Sequence, residues 1–338
     1  MKHFVWVVAL ALVACAESSS NVDGGEDAGD DAGDSADAGV TRDPYPHACT
    51  YERDRDADGA HDWVSTYELD GDGRVLREEM DSDGDGDLNF VNVMTYDDEG
   101  REILRELDED ADGEPELSYE TEYRSDGQIA RTVDFHHETE IASVDYVYDD
   151  DGFLIERVGN LPDGHTHGGA GSRTTYENDE NGCPVVTTQD DYDDGMIELI
   201  MMSEVDEQCR PLEIASDQFG DGEVDWVWSA TYDDDGQVLT EKQVEGDTTT
   251  FFRETEWDGD LMLRQVETRG TSTDVTEYFY DEAGNLERVM DDPFGDGAAI
   301  DMTLYENDAR GNALRVLMDD HGDGVVDDIA TYSFDCWE

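Results

Sequence analysis

Aspartates spaced two apart are the residues here whose type and pattern could do chemistry. Asp54, Asp56 and Asp58 precede Gly59, with Asp62 beyond. Asp81, Asp83 and Asp85 precede Gly86, followed by Asp87 and Asn89. Asp108, Asp110 and Asp112 precede Gly113, followed by Glu116. Alternate spacing in a tight loop lets three carboxylates converge on one hard cation. The Gly makes the sharp bend, and the later oxygen adds a ligand. Calcium is the expected cofactor. Three further stretches begin at Asp217, Asp292 and Asp319 but carry Phe219, Phe294 and His321 at the third position. These read as decayed copies or polar turns.

The spacing matches the front of the EF-hand loop and resembles the calcium loops of dockerin and thrombospondin type 3 repeats. It departs from the EF-hand at the twelfth position, where Ser65, Asn92 and Tyr119 stand instead of a bidentate Glu. Affinities on the order of 10⁻⁴ to 10⁻³ M are expected, as in extracellular modules. The competing reading makes every one of these loops a hairpin turn, with Gly supplying positive φ and Asp bonding its own backbone.

The elements that carry these loops form a repeat. Tyr96, Tyr148, Tyr232 and Tyr280 each begin a Tyr-Asp-x-x-Gly stretch. Weaker copies are assigned to Tyr67, Tyr123, Tyr176, Val205, Trp257, Tyr305 and Tyr332, at intervals of 23 to 29 residues. Before each such position lies an alternating segment, such as Leu88 to Tyr96, which reads as a strand with one covered face. The acidic Gly turn leads to a second strand, and an Asp loop returns the chain. The expected fold is all-β: an antiparallel meander of about eleven two-stranded units. No 3.6-residue periodicity is sustained. The ladder resembles the YD repeats of Rhs-type proteins, which implies a curved or coiled sheet. Rhs arrays are longer and carry a core segment before a toxin. Neither is visible here, so a shell-enclosing role is not carried over.

Charge excludes whole classes of function. The chain has 20 Lys and Arg against 91 Asp and Glu, a formal net charge of −71. No basic patch exists to neutralise phosphates, so nucleic acid is not an expected partner. Repulsion on this scale favours an extended surface or bound cations.

The N-terminus gives an address. Lys2 precedes an apolar run from Phe4 to Ala14, too short to span a bilayer. Leu12-Val13-Ala14-Cys15 resembles the bacterial lipobox, which implies a signal peptide over 1–14 and lipid on Cys15. Ala16, rather than Asp, favours the outer membrane over the inner. Residues 15–46 are rich in Asp, Ala, Gly and Ser and read as a disordered linker. The β-repeat domain is then 47–338.

The remaining cysteines, Cys49, Cys183, Cys209 and Cys336, suggest disulfides in an exported chain. Cys183 with Cys209 would link consecutive units. Cys49 with Cys336 would require the sheet to close into a ring. His136-His137 and His165-x-His167 lack a metal-partner set. No nucleophile-plus-base constellation or phosphate loop stands out, and an enzyme is not expected. The expected role is structural or adhesive at the cell envelope, with a surface protein or glycan as partner. The alternative is a carbohydrate- or wall-binding module using exposed Trp63, Trp226, Trp228 and Trp257.

Overall fold

A computed structural model describes residues 47–161, 171–297 and 301–337. The signal segment, Cys15, the acidic linker, His165 and His167 lie outside the described residues. Twenty-two strands run from Thr50–Asp54 to Asp328–Ser333, with one short 3₁₀ turn at Asp335–Trp337. Each strand pairs antiparallel with its neighbours in sequence. The first also pairs with the last, Thr50 opposite Ser333 through Asp54 opposite Ile329. The meander is therefore a closed barrel. A disulfide joins Cys49 to Cys336 at the seam, and another joins Cys183 to Cys209.

Connections in an antiparallel meander alternate between its two ends. All Tyr-Asp-x-x-Gly turns therefore lie on one rim and all Asp loops on the other. The turns share one hydrogen-bond pattern. The Asp97 N–H donates to the Arg101 carbonyl and the Gly100 N–H to the Asp97 carbonyl, while the Asp97 carboxylate accepts the Glu99 and Arg101 amides. The same backbone pair recurs at Asp70, Asp179 and Asp308.

This pattern corrects the sequence register. The residue before the turn Asp is Leu69, Asn178 and Asn307, two positions after Tyr67, Tyr176 and Tyr305. At the last unit it is Phe334 rather than Tyr332. Two kinds of tyrosine share the repeat. Those at the turn position bond the preceding unit: the Tyr96 hydroxyl donates to the Val75 carbonyl at 2.9 Å, Tyr123 to Glu102 at 3.0 Å and Tyr232 to Pro211 at 3.0 Å. Trp257, Asn178 and Asn307 supply the donor at their own turns, each to the equivalent carbonyl of the preceding unit. The other kind, two residues earlier, faces the barrel interior. Tyr232→Phe removes one rung and is expected to cost about 1 kcal/mol in chemical denaturation; an unchanged midpoint would show that the rung is idle.

The turns also stack on one another. The Arg74 guanidinium lies 5.1 Å from the centre of the Tyr96 ring, and a Cβ at Gly100 would overlap it. The Cys183–Cys209 bond occupies the same slot between two turns, with Cys209 standing where the others have Gly and adopting φ +62°.

Strand backbones approach closely only along the hydrogen-bonded ladder. Among the described residues the buried apolar ones are few, Val91, Val133, Val316 and small residues among them. The two faces of the sheet nonetheless differ. Thr66, Glu68, Glu120, Glu204 and Glu254 on one face are exposed. Side chains crowd on the concave side of a closed sheet and splay on the convex side, so the opposite face lines the lumen. A closed sheet of this many strands is wide enough to enclose one.

Candidate metal centre

Among the described residues, the Asp-loop rim carries one backbone conformation in seven copies, beside tight two-residue turns. The fourth loop residue has positive φ in each: Ala57, Gly84, Ala111, Asp193, Gly220, Gly295 and Gly322. The sixth is always a Gly near φ +90°. The first Asp fixes this shape. In the first loop its carboxylate accepts the amides of Asp58 at 3.1 Å and Gly59 at 2.8 Å. The ninth residue clamps the entry: Asp62 accepts the Arg55 amide, Asn89 the Ser82 amide and Glu116 the Glu109 amide.

Three of the seven converge carboxylates. Ligand oxygens of Asp54, Asp56 and Asp58 lie within 4.8 Å of one another, as do those of Asp81, Asp83 and Asp85. In the third loop Asp108, Asp110 and Asp112 are joined by Glu116 within the same distance. Two oxygens bound to one calcium, each at about 2.4 Å, are at most about 4.8 Å apart, so each group fits a single ion. Asp62 and Asp87 do not join their clusters. Asn89 accepts the Ser82 amide and hydroxyl. The twelfth residues, Ser65, Asn92 and Tyr119, sit within strands on the concave face.

Sequence reasoning missed the seventh loop, Asp190 to Glu198. Asp190 accepts the Asp194 and Gly195 amides, and Glu198 accepts the Asp191 amide. Tyr192 at the third position hid it, although the Asp-x₄-Gly-x₂-acid spacing was legible. In this loop and in those at Asp217, Asp292 and Asp319, the third side chain is Tyr192, Phe219, Phe294 or His321. Their loops bring no set of three carboxylates together among the described residues. His136 and His137 stack edge to face in a tight turn on the same rim.

Burial works to raise the carboxyls of Asp81, Asp190, Asp217, Asp292 and Asp319, but the loop amides outweigh it and hold them below the ordinary 3.8. The unfolded chain then binds more protons. This contribution is full above the ordinary carboxylate range and is lost as pH falls through the depressed values. The melting temperature in chelator is expected to hold from pH 7 to 5 and drop below about pH 4. A rise on acidification to pH 3 would show that relief of charge repulsion outweighs these bonds.

The tryptophans are not exposed. Trp63, Trp226 and Trp228 are half-buried on the concave face, and the Trp257 indole donates to the Val238 carbonyl at 2.9 Å.

No protein-family model matches the chain, and no curated protein matches it. Among solved structures it is similar to TcdB2-TccC3-TEV, with 16% identity and a TM-score of 0.36 over 76% of this chain and 15% of that one. The Tc holotoxin pore of Photorhabdus luminescens gives 10% identity and a TM-score of 0.32 over 77% of this chain and 16% of that one. A porin-like protein from Bacteroides uniformis gives 9% identity and a TM-score of 0.31, over 86% and 97% of the two chains. The chain thus spans about one-sixth of the toxin chains it resembles. These likenesses are too distant to carry an argument about function.

Proposed function

We propose that this chain is a calcium-stabilised lipoprotein of the cell envelope, with a structural or adhesive role. The observation that carries this reading is the convergence of carboxylates in three successive loops on one rim. Calcium there would neutralise part of a large like charge and lock the loops. The described chain joins the barrel at the opposite rim, beside the Cys49–Cys336 bond.

The lipid anchor is tested directly. Cys15→Ser is expected to abolish incorporation of labelled fatty acid and to release the protein from the membrane fraction. Labelling that persists in the variant would remove the anchor from this proposal.

A further inference from the structure

Four of the seven loops keep the backbone shape and give up the third carboxylate. Tyr192, Phe219 and Phe294 stand where Asp56, Asp83 and Asp110 stand in the converging loops. The loop does not need these rings, since in all seven copies the first Asp holds the amide of the sixth-position Gly. Nor do the rings fill a core. Tyr192 is 52% exposed, Phe219 72% and Phe294 68%. With Met196 and Val325 they are the five most exposed large apolar residues among those described, and all five stand on these loops. Such grouping on one rim marks an interaction surface. Neighbouring loops on a rim are two strands, about 9.5 Å, apart. The Asp190 and Asp217 loops are neighbours, and the Asp292 loop follows after two tight turns. The three rings therefore span roughly 40 Å of rim, the reach of about twelve extended residues.

The surroundings carry one sign of charge. Stretches 190–198, 217–225 and 291–297 hold five, four and three carboxylates and no Lys or Arg. Arg173 reaches in from its own strand to pair with Asp193. The opposite rim shows what satisfies a ring beside a carboxylate. The Arg101 guanidinium lies 4.5 Å from the centre of the Tyr123 ring and 2.6 Å from Asp97. Arg210 lies 4.8 Å from the centre of the Tyr232 ring and 2.6 Å from Asp206. One planar cation stacks on the ring and meets the acid together. Among the described residues no Arg or Lys lies over Tyr192, Phe219 or Phe294.

We propose that this rim docks an extended, arginine-rich segment of a partner protein. Its guanidinium groups stack on Tyr192, Phe219 and Phe294 and pair with the carboxylates beside them. This names a partner for the adhesive role proposed above and rests on that reading. A lipid surface fits less well, because sinking the rings would carry the flanking carboxylates out of water.

Fluorescence anisotropy of labelled dodeca-arginine with the full chain, in calcium and about 0.15 M salt, tests this. A chain this acidic attracts any polycation, so the deciding comparison holds charge constant. Tyr192→Ser, Phe219→Ser and Phe294→Ser combined should weaken binding about tenfold or more, while Met202→Ser on the convex face changes nothing. A melt in calcium checks that the ring variant folds. Should it not, Phe219→Ser alone is expected to weaken binding about threefold. Absence of binding overturns the proposal, as does equal affinity in the ring variants. Sedimentation with phosphatidylcholine vesicles that the ring variant loses would make the rim a lipid surface and overturn it too. The calcium-dependent melt tests the reading above separately.

Discussion

Chelating calcium is expected to lower the melting temperature by about 10 °C or more. The size follows from mass action. At an affinity of about 10⁻⁴ to 10⁻³ M and about 10 mM ion, each site contributes about 1.4–2.7 kcal/mol. Three such loops act together for about 4–8 kcal/mol, and each kcal/mol moves a domain of this size by about 2 °C. Asp81→Asn, Asp83→Asn and Asp85→Asn combined should remove about a third of the shift. In chelator they should lower the melt slightly, since Asp81→Asn leaves one acceptor oxygen where two hold the Gly84 and Gly86 amides. Coincident melts with calcium and with chelator would make all seven loops plain turns.

Replacing Cys49 and Cys336 by Ser is expected to destabilise more than replacing Cys183 and Cys209. The bonds span sequence separations of 287 and 26 residues. Chain-entropy arguments give about 5–6 kcal/mol for the long loop and about 3.5 kcal/mol for the short one. The barrel sharpens the contrast. The seam bond stands beside the pairing of first and last strands, so its loss leaves closure to that pairing, the Arg53–Asp328 ion pair, the Cys49 amide on the Ser333 carbonyl and the Trp337 indole on the His47 carbonyl. The Cys183–Cys209 bond merely replaces one stack among many. Denaturant midpoints of the two double variants, compared in calcium, decide the order. Equal midpoints would mean that the seam holds without its bond.

Much of this fold was legible because each unit repeats the same local chemistry. Asp97 and Gly100 specify a turn wherever they recur, and alternation specifies the strands between. The register slipped by two residues at Leu69, Asn178, Asn307 and Phe334. There the nearby tyrosine serves the lumen, and a different residue serves the turn. The spacing to the turn tells one tyrosine from the other: a turn tyrosine stands directly before Asp-x-x-Gly, as Tyr96 does, and an interior one three residues before the turn Asp, as Tyr67 does before Asp70. Closure was out of reach. It depends on curvature summed over the whole array, and only Cys49 and Cys336 hinted at it. The metal loops were found where Asp filled the third position, and the Asp190 loop was missed where Tyr192 did.

A ring whose first strand pairs with its last has a consequence for synthesis. The strand Thr50–Asp54 leaves the ribosome early, yet one of its edges has no mate until residues 329–333 follow. Through that interval the growing array presents bare backbone at both margins, the arrangement most prone to pairing with another chain. On such unfinished copies the like-charged acidic side chains would repel one another.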